Sequence, residues 1–260
     1  MPEIEFHWFS DPGAWAALAT LTLLEIVLGI DNIVFISILV DRLPDKERKS
    51  ARLLGLAAAM LTRLLLLFSL SWIMSLTTPL FHIPVAPALW KMMPSAAEHT
   101  GMLAISWKDI ILIVGGGFLI FKSTHEIHDK IEHSEHGPEI SKATATFGAV
   151  LVQIALLDII FSLDSVITAV GMADHITVMA LAIVIAVAVM MAASGVVSRF
   201  VSENPSIKML ALSFLIMIGM ALLAEGFHFH IPKGYIYFAM IFSLGVELLN
   251  LKAKTRAAEA

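Results

Sequence analysis

The chain has 260 residues, of which 58% are hydrophobic and 15% are charged, with a formal net charge of -5 at pH 7 and no cysteine. Its mean hydropathy of +0.85 excludes an ordinary soluble domain. The lack of cysteine excludes disulfides and thiolate metal sites, and no basic patch suggests a nucleic-acid partner. We therefore interpret the sequence as an all-α polytopic membrane protein that forms a single domain over residues 1–260.

Long apolar segments recur along the chain and predict about seven transmembrane helices, because about 20 apolar residues cross a hydrocarbon core of roughly 30 Å. They cover residues 14–40, 53–74, 108–121 with an extension to about 126, 148–170, 176–197, 208–223 and 235–251. The prolines at positions 44, 138, 205 and 232 fall between these segments, where helix breakers belong.

The basic residues predict an orientation. Thirteen of the 17 Lys and Arg residues fall on one side of the membrane, and the connection at residues 41–52 alone holds five of them. Because cytoplasmic loops are enriched in Lys and Arg, we expect an external N-terminus and a cytoplasmic C-terminus.

One motif occurs in both the first and the fourth segment. Residues 23–34 read LLEIVLGIDNIV and residues 156–167 read LLDIIFSLDSVI, at a constant offset of 133 residues. Each copy is apolar apart from two carboxylates six residues apart, the second of which precedes a small polar residue. The polar members are Glu25, Asp31 and Asn32 in the first copy and Asp158, Asp164 and Ser165 in the second. Ionisable residues inside a membrane are costly, so the repeated pattern indicates a functional site.

The position of the two copies predicts an inverted repeat. Three crossings separate them, so the second half runs opposite to the first, a plan typical of secondary transporters with a substrate site near the midplane. Repeat 1 covers about residues 14–126, repeat 2 about 148–225, and the helix at about 235–251 is additional. Glu126 and Glu225 end the third and sixth segments and, together with Gln153 and Arg63, are candidates for an access path.

The four carboxylates form two predicted levels. Six residues of helix separate Glu25 from Asp31 by about 9 Å along the axis and about 120° around it. We expect Glu25 and Asp164 in the outer half and Asp31 and Asp158 in the inner half. Both levels can face one cavity if the helices unwind locally at the equivalent positions 29 and 162, a glycine and a serine.

The candidate ligands are all oxygen donors: the four carboxylates, Asn32, the hydroxyls of Ser162 and Ser165, and Gln153. Four carboxylates in a low-dielectric cavity require protons or a cation to neutralise them, which favours proton-coupled cation exchange. Oxygen ligands suit Mg²⁺, Ca²⁺ or Mn²⁺ rather than Zn²⁺ or copper.

Several alternatives stay open. A buried carboxylate can instead pair with Arg63, which lies inside the second segment and which we interpret as a structural counter-ion. After the third segment, His125, Asp129, Glu132 and His136 share one helical face and would suit metal sensing, but a solvated acidic helix is the preferred interpretation. The segments contain no Ser/His/Asp set and no HExxH motif, so we do not expect an enzyme.

Residues 20–32, 156–166 and 232–238 resemble the TerC family of bacterial integral membrane proteins, in particular its short inner-membrane branch, and the resemblance extends over about residues 15–251. The family is similar to LysE-type exporters and is linked to manganese export, to metalation of exported proteins and to tellurite resistance. The resemblance implies an inner-membrane location and an ion-binding role for the six polar residues of the twin motif. An anionic tellurium oxyanion would not suit four carboxylates.

The sequence thus predicts an exporter of a hard divalent cation in exchange for protons. The oxygen ligands do not choose among Mn²⁺, Ca²⁺ and Mg²⁺, and the resemblance to the TerC family favours Mn²⁺. Its partners would be the lipid bilayer, metal ions and protons, with a homo-oligomer left open and no resident cofactor. The alternative is a membrane adaptor that does not transport and assists metal loading or assembly of exported or membrane proteins.

Overall fold

A computed structural model describes residues 6–69, 72, 75–85, 102–135, 146–170, 176–229 and 231–259. Within some helices only the backbone is described, and the side chains of Asp31, Asp164 and Ser165 belong to this group.

Seven long helices follow one another in the described chain. They are α1 (Pro12–Val40), α2 (Asp45–Phe68), α3 (Trp107–Glu135), α4 (Phe147–Val170), α5 (Ile176–Glu203), α6 (Pro205–Gly226) and α7 (Lys233–Glu259). Six of them are long and apolar enough to cross a membrane, and α4 contributes a shorter apolar helical stretch, Phe147–Ser162. The all-α polytopic fold is confirmed, whereas the inverted repeat stays a prediction.

Local sequence explains where two of these helices begin. Asp11 precedes α1 and its Oδ1 accepts a hydrogen bond from the Gly13 amide at 2.8 Å, while Pro12 occupies the first turn. Ser106 precedes α3, and Asp109 Oδ2 accepts from the Ser106 amide at 2.8 Å and from the Ser106 hydroxyl at 2.6 Å. The Asp109 amide lies 3.3 Å from Ser106 Oγ, which completes a reciprocal capping box.

A small hairpin precedes α3 and was not predicted. Strands β1 (Pro79–Pro84) and β2 (Met102–Ser106) pair antiparallel, with Ile83 opposite Leu103. Elsewhere in the chain, a 3-10 helix at Phe6–Ser10 comes before α1. All of β1 is exposed, and its sequence PLFHIP is too short and too broken by proline to show the sustained polar and apolar alternation that marks a half-buried strand.

The chain divides into two compact groups of elements. The first group contains α1, α2, α4 and most of α5, within Met1–Leu76 and Ser141–Ser202. The second contains the hairpin, α3, α6 and α7, within Thr77–Ile140 and Glu203–Ala260. Each group therefore takes helices from both predicted repeats.

Contacts within the first group define helix directions. A Cβ placed on Gly55 of α2 would lie 2.9 Å from Ile154 Cδ1 of α4, and Arg63 further along α2 bonds Asp158 further along α4, so these two helices run parallel. Met190 of α5 packs on Gly29 of α1, and Ser202 donates to Asp41 at 2.9 Å, so α1 and α5 also run parallel.

In the second group, α3 and α6 cross closely and run antiparallel. A Cβ on Gly116 would lie 2.6 Å from the Gly219 carbonyl oxygen, and one on Gly226 would lie 2.9 Å from the Asp109 carbonyl oxygen. Only glycine permits this approach of two backbones, as in other membrane helix pairs with small residues at the crossing. These directions are those expected of successive helices that cross a membrane in alternation.

Candidate ion-binding site

Three helices of the first group, α1, α2 and α4, bring charged side chains together around Arg63. Arg63 is 4% exposed, Glu25 7% and Asp158 3%. The Arg63 Nε and Nη2 groups donate to Asp158 Oδ1 at 3.1 Å and 3.0 Å, and Nη1 donates to Glu25 Oε2. One buried guanidinium therefore holds a carboxylate from each copy of the twin motif.

Polar side chains complete the shell of Asp158. Asn32 Nδ2 donates to Oδ1 at 3.1 Å, and Ser162 Oγ donates to Oδ2 at 3.2 Å. Thr62 Oγ1 lies 2.9 Å from Asp158 Oδ2 and also 2.9 Å from the Ala59 carbonyl oxygen. Because a hydroxyl has one proton, it can donate to either acceptor but not to both at once. Both carboxylate oxygens of Asp158 therefore have donors on the protein.

The pattern of α2 explains why a charged residue reaches this position. Arg63 shares a stripe with Gly55, Leu56 and Ala59, all of them buried, at the three- and four-residue spacing of a helix face. The small residues on this stripe let α4 approach, so the guanidinium meets Asp158 rather than lipid.

The charges of the cluster do not cancel. Two carboxylates and one guanidinium carry a formal charge of -1, and all three groups are out of water. Removing one member of a buried ion pair costs about 3–5 kcal/mol, because it leaves an uncompensated charge. The cluster can thus lose a carboxylate charge more readily than it can lose Arg63.

Gly29 has a different role from the one predicted. The helix α1 continues without interruption through Gly29, and α4 continues through Ser162, so the predicted local unwinding is absent at these two described positions. A Cβ on Gly29 would lie 2.1 Å from Met190 Sδ. The glycine therefore makes room for a side chain from α5. On a regular helix it lies within about 60° of both Glu25 and Asn32, so Met190 packs on the face of α1 that carries them.

The structure brings together three of the six residues predicted as metal ligands: Glu25, Asn32 and Asp158. The side chains of the other three, Asp31, Asp164 and Ser165, lie outside the described part. Glu25 and Asp158 were expected at different levels, yet their carboxylates meet at one guanidinium. Arg63 forms ion pairs with both carboxylates, which are the contacts that its interpretation as a structural counter-ion requires.

Thr62 is a contact that the sequence analysis missed. A lone threonine within an apolar helix carries no signal of its own, and only its position next to Arg63 could have pointed to it. Gln153, a predicted donor, lies on α4, but its Nε2 is buried and has no hydrogen-bond partner within the described chain. It does not join the Arg63 cluster through that atom.

Of the four predicted access-path residues, Gln153 and Arg63 lie in the first group, whereas Glu126 and Glu225 lie in the second. Glu225 Oε1 is 3.8 Å from Lys108 Nζ, and Glu126 is half-buried on the extended α3. Their role in access stays a prediction.

The histidine-rich segment is part of α3, which continues to Glu135. His125 Nδ1 lies 3.7 Å from Asp129 Oδ1, and His128 Nε2 lies 3.5 Å from Glu132 Oε1, both as pairs four residues apart with much of each side chain exposed. Exposed pairs of this kind add little stability. His136 lies outside the described residues, so the predicted four-residue face is only partly described.

Among the described side chains, no three His, Asp or Glu residues are placed to hold a metal ion. Glu25 and Asp158 are among these described side chains, whereas the carboxylates of Asp31 and Asp164 are not. The described site is therefore a buried pair of carboxylates with amide and hydroxyl neighbours.

The sequence matches one known family along nearly its whole length. The profile described as "Integral membrane protein TerC family" matches residues 10–260. The chain is 54% identical to a UPF0053 protein of Haemophilus influenzae over 249 residues, which cover 96% of this chain and 98% of the relative. It is also 54% identical to the UPF0053 inner membrane protein YgdQ of Escherichia coli (strain K12) over 246 residues, 95% of this chain and 96% of the relative.

A longer relative shares the same region. The chain is 49% identical over 248 residues to the UPF0053 inner membrane protein YoaE of Escherichia coli (strain K12), which is 95% of this chain and 45% of that protein. No solved structure matches the chain.

Proposed function

Because the chain belongs to the TerC family of integral membrane proteins, we propose that it is a multi-pass transporter that exports a divalent metal cation across the bacterial inner membrane. The inner-membrane location is supported by the relative YgdQ, which is named an inner membrane protein, and by the six apolar helices that are long enough to span a membrane. The observation that carries the proposal is the buried cluster of Glu25 and Asp158 around Arg63.

Electrostatics support a cation as the substrate. The described cluster has a formal charge of -1, and the twin motif adds Asp31 and Asp164 to the same two helices. Uncompensated negative charge is costly inside a membrane. A cation entering between α1 and α4 would lower this cost, so the site attracts positive charge.

Arg63 provides a mechanism for release. A divalent cation that binds Glu25 and Asp158 competes with the guanidinium for the same oxygens, since both carboxylates are engaged by Arg63. When the ion leaves, Arg63 returns to its ion pairs and the empty site stays compensated. In this scheme the cation and Arg63 alternate at the carboxylates, which keeps both states of the transporter at an acceptable energy.

The hydroxyls of Thr62 and Ser162 can contribute both when Arg63 occupies Asp158 and when a metal ion does. Thr62 and Ser162 donate to Asp158 when Arg63 occupies it. A hydroxyl also has lone pairs, so rotation of either group would present its oxygen to a metal ion instead. With Asn32 and the carboxylates, the donors are all oxygens, which suits Mn²⁺, Ca²⁺ or Mg²⁺. Resemblance to the TerC family favours Mn²⁺.

Protons are the proposed counter-substrate. Carboxylates that share a small buried site titrate together, so protons can neutralise them after the cation has left. Export of one divalent cation coupled to proton entry would then leave the site compensated at each step. The residues proposed to bind the ion are Glu25, Asp31, Asn32, Asp158, Asp164 and Ser165.

The second candidate is a membrane adaptor that assists metal loading without transport. It is favoured by one observation, that both oxygens of Asp158 already have protein donors, as in a purely structural ion pair. Purified protein in proteoliposomes separates the two functions. We expect Mn²⁺ flux above that of protein-free vesicles, with a dependence on an imposed pH gradient and a loss in Asp31→Asn. Flux equal to that of empty vesicles at every gradient would favour the adaptor.

A further inference from the structure

Arg52 is a half-buried arginine whose charge has no partner in the cluster described above. It lies on α2, eleven residues before Arg63 and on the same face of the helix. Its Nε donates to Ser194 Oγ of α5 at 3.2 Å. In the described part of the chain this is its one hydrogen bond, and no carboxylate pairs with it.

Ser194 holds the guanidinium in a fixed direction. The Ser194 hydroxyl, 1% exposed, donates to the Met191 carbonyl oxygen at 2.8 Å and accepts from Arg52 with its lone pair. One of the five N–H donors of Arg52 is thus used, and the four on Nη1 and Nη2 are left for another acceptor. The four remaining N–H groups of Arg52 are thus oriented but have no acceptor in the described part of the chain.

The space beside the fork is open. A Cβ placed on Gly195 would lie 3.6 Å from Arg52 Nη2 and would meet no other atom within 4 Å. The nearly buried Ser198 lies one turn further along α5. The guanidinium therefore lies over a residue without a side chain, and no other described side chain comes within 4 Å of the position that a Cβ would take there.

The site lies toward the predicted cytoplasmic ends of both helices. Arg52 is seven residues from the start of α2, about 10 Å along the helix, and Ser194 is nine residues from the end of α5, about 13 Å. The exposed basic residues Lys49 and Arg199 lie on the same stretches of the two helices. Of the two carboxylates at this end of α2, Asp45 is engaged by Arg48 at 2.8 Å, and the exposed Glu47 lies five residues before Arg52, about 140° around the helix. The first turns of α2 thus carry Lys46, Arg48, Lys49 and Arg52 against Asp45 and Glu47, which leaves a positive balance at the predicted cytoplasmic end of the helix.

We propose that Arg52, oriented by Ser194 and flanked by Gly195 and Ser198, binds the phosphate of an anionic lipid headgroup in the groove between α2 and α5. A partly desolvated charge requires an opposite charge. A phosphate matches the planar fork of arginine with two parallel hydrogen bonds. Anionic lipids concentrate at basic segments next to transmembrane helices, and the predicted cytoplasmic face of this chain carries such segments.

The test compares lipids and anions on the full chain purified in detergent micelles. The thermal unfolding midpoint is followed as phosphatidylglycerol, phosphatidylcholine or inorganic phosphate is added at matched concentrations. We expect phosphatidylglycerol to raise the midpoint far more than either of the others. An equal rise with phosphatidylcholine would overturn the proposal, as would an equal rise with inorganic phosphate, which would indicate a free-anion site.

Variants of Arg52 and of Lys46 test whether phosphatidylglycerol binds at Arg52. Arg52→Gln should raise the half-saturating phosphatidylglycerol concentration roughly tenfold to hundredfold, the change expected from losing charge-assisted hydrogen bonds. Arg52→Lys keeps the charge without the fork, should fold if Arg52→Gln does not, and should weaken binding by up to about tenfold. Lys46→Gln is the matched control, since Lys46 is exposed and lies about 120° around α2 from Arg52. If Lys46→Gln weakened binding as much as Arg52→Gln, diffuse surface charge would explain the binding and the site would be refuted.

Discussion

Replacing Arg63 should destabilise the protein more than replacing Asp158, because of the charge that each change leaves behind. The cluster has a formal charge of -1 in the parent chain, -2 in Arg63→Gln and 0 in Asp158→Asn. Arg63→Gln leaves two buried carboxylates without a counter-charge, at a cost of about 3–5 kcal/mol. Asp158→Asn keeps the Arg63 pair with Glu25 and loses charged hydrogen bonds worth about 1.5–3 kcal/mol.

The double variant tests whether the charges of Arg63 and Asp158 compensate one another. Arg63→Gln with Asp158→Asn returns the cluster to a formal charge of -1, so the two changes should compensate one another by about 0.5–3 kcal/mol. The assay is unfolding of the four proteins in one detergent by heat and by denaturant, combined as a double-mutant cycle. If Arg63→Gln cost no more than Asp158→Asn, or if the double variant lost the full sum, Arg63 would not be the counter-ion of this cluster.

Three further predictions concern packing, the histidine segment and topology. Gly29→Ala should lower the free energy of unfolding by about 1–3 kcal/mol, because its Cβ would overlap Met190 Sδ. Adding Met190→Ala should recover part of that stability in a thermal unfolding assay. Additive losses of stability would show that the two side chains do not share the space. Replacing His125 and His128 with Gln should leave Mn²⁺ flux nearly unchanged, since both are largely exposed, whereas a large rise in the Mn²⁺ concentration needed for half-maximal flux would support a sensing role. A reporter inserted between α4 and α5 should read external, and one fused at the C-terminus cytoplasmic; a cytoplasmic signal between α4 and α5 would remove the basis of the inverted repeat.

The helices were predictable because each crossing needs a long apolar segment, and the described helices contain most of each predicted range. Their ends were less predictable. The α3 helix continues to Glu135 through a polar segment, where hydropathy marks the membrane boundary rather than the end of the helix. The hairpin was missed because β1 is exposed and lies between Pro79 and Pro84, which suggest a turn or a loop.

The site was predictable where the sequence repeats itself. Glu25, Asn32 and Asp158 are members of the twin motif, and the structure places them within one network. Contacts that depend on how one helix is rotated against another carry no such signal. Gly29 in an acidic segment suggested a break in the helix, whereas its space is filled by Met190 from a different helix.

Equilibrium binding of Mn²⁺ to the purified protein tests most directly whether the twin acidic motif is the cation site. Titration calorimetry should give saturable binding in the parent chain and no detectable binding in Asp31→Asn or Asp158→Asn, with each variant still folded. Glu132→Gln, which removes the same charge from an exposed position on α3, should bind as the parent does. Parental affinity in both aspartate variants would contradict the account, because the carboxylates of α1 and α4 would then not hold the ion.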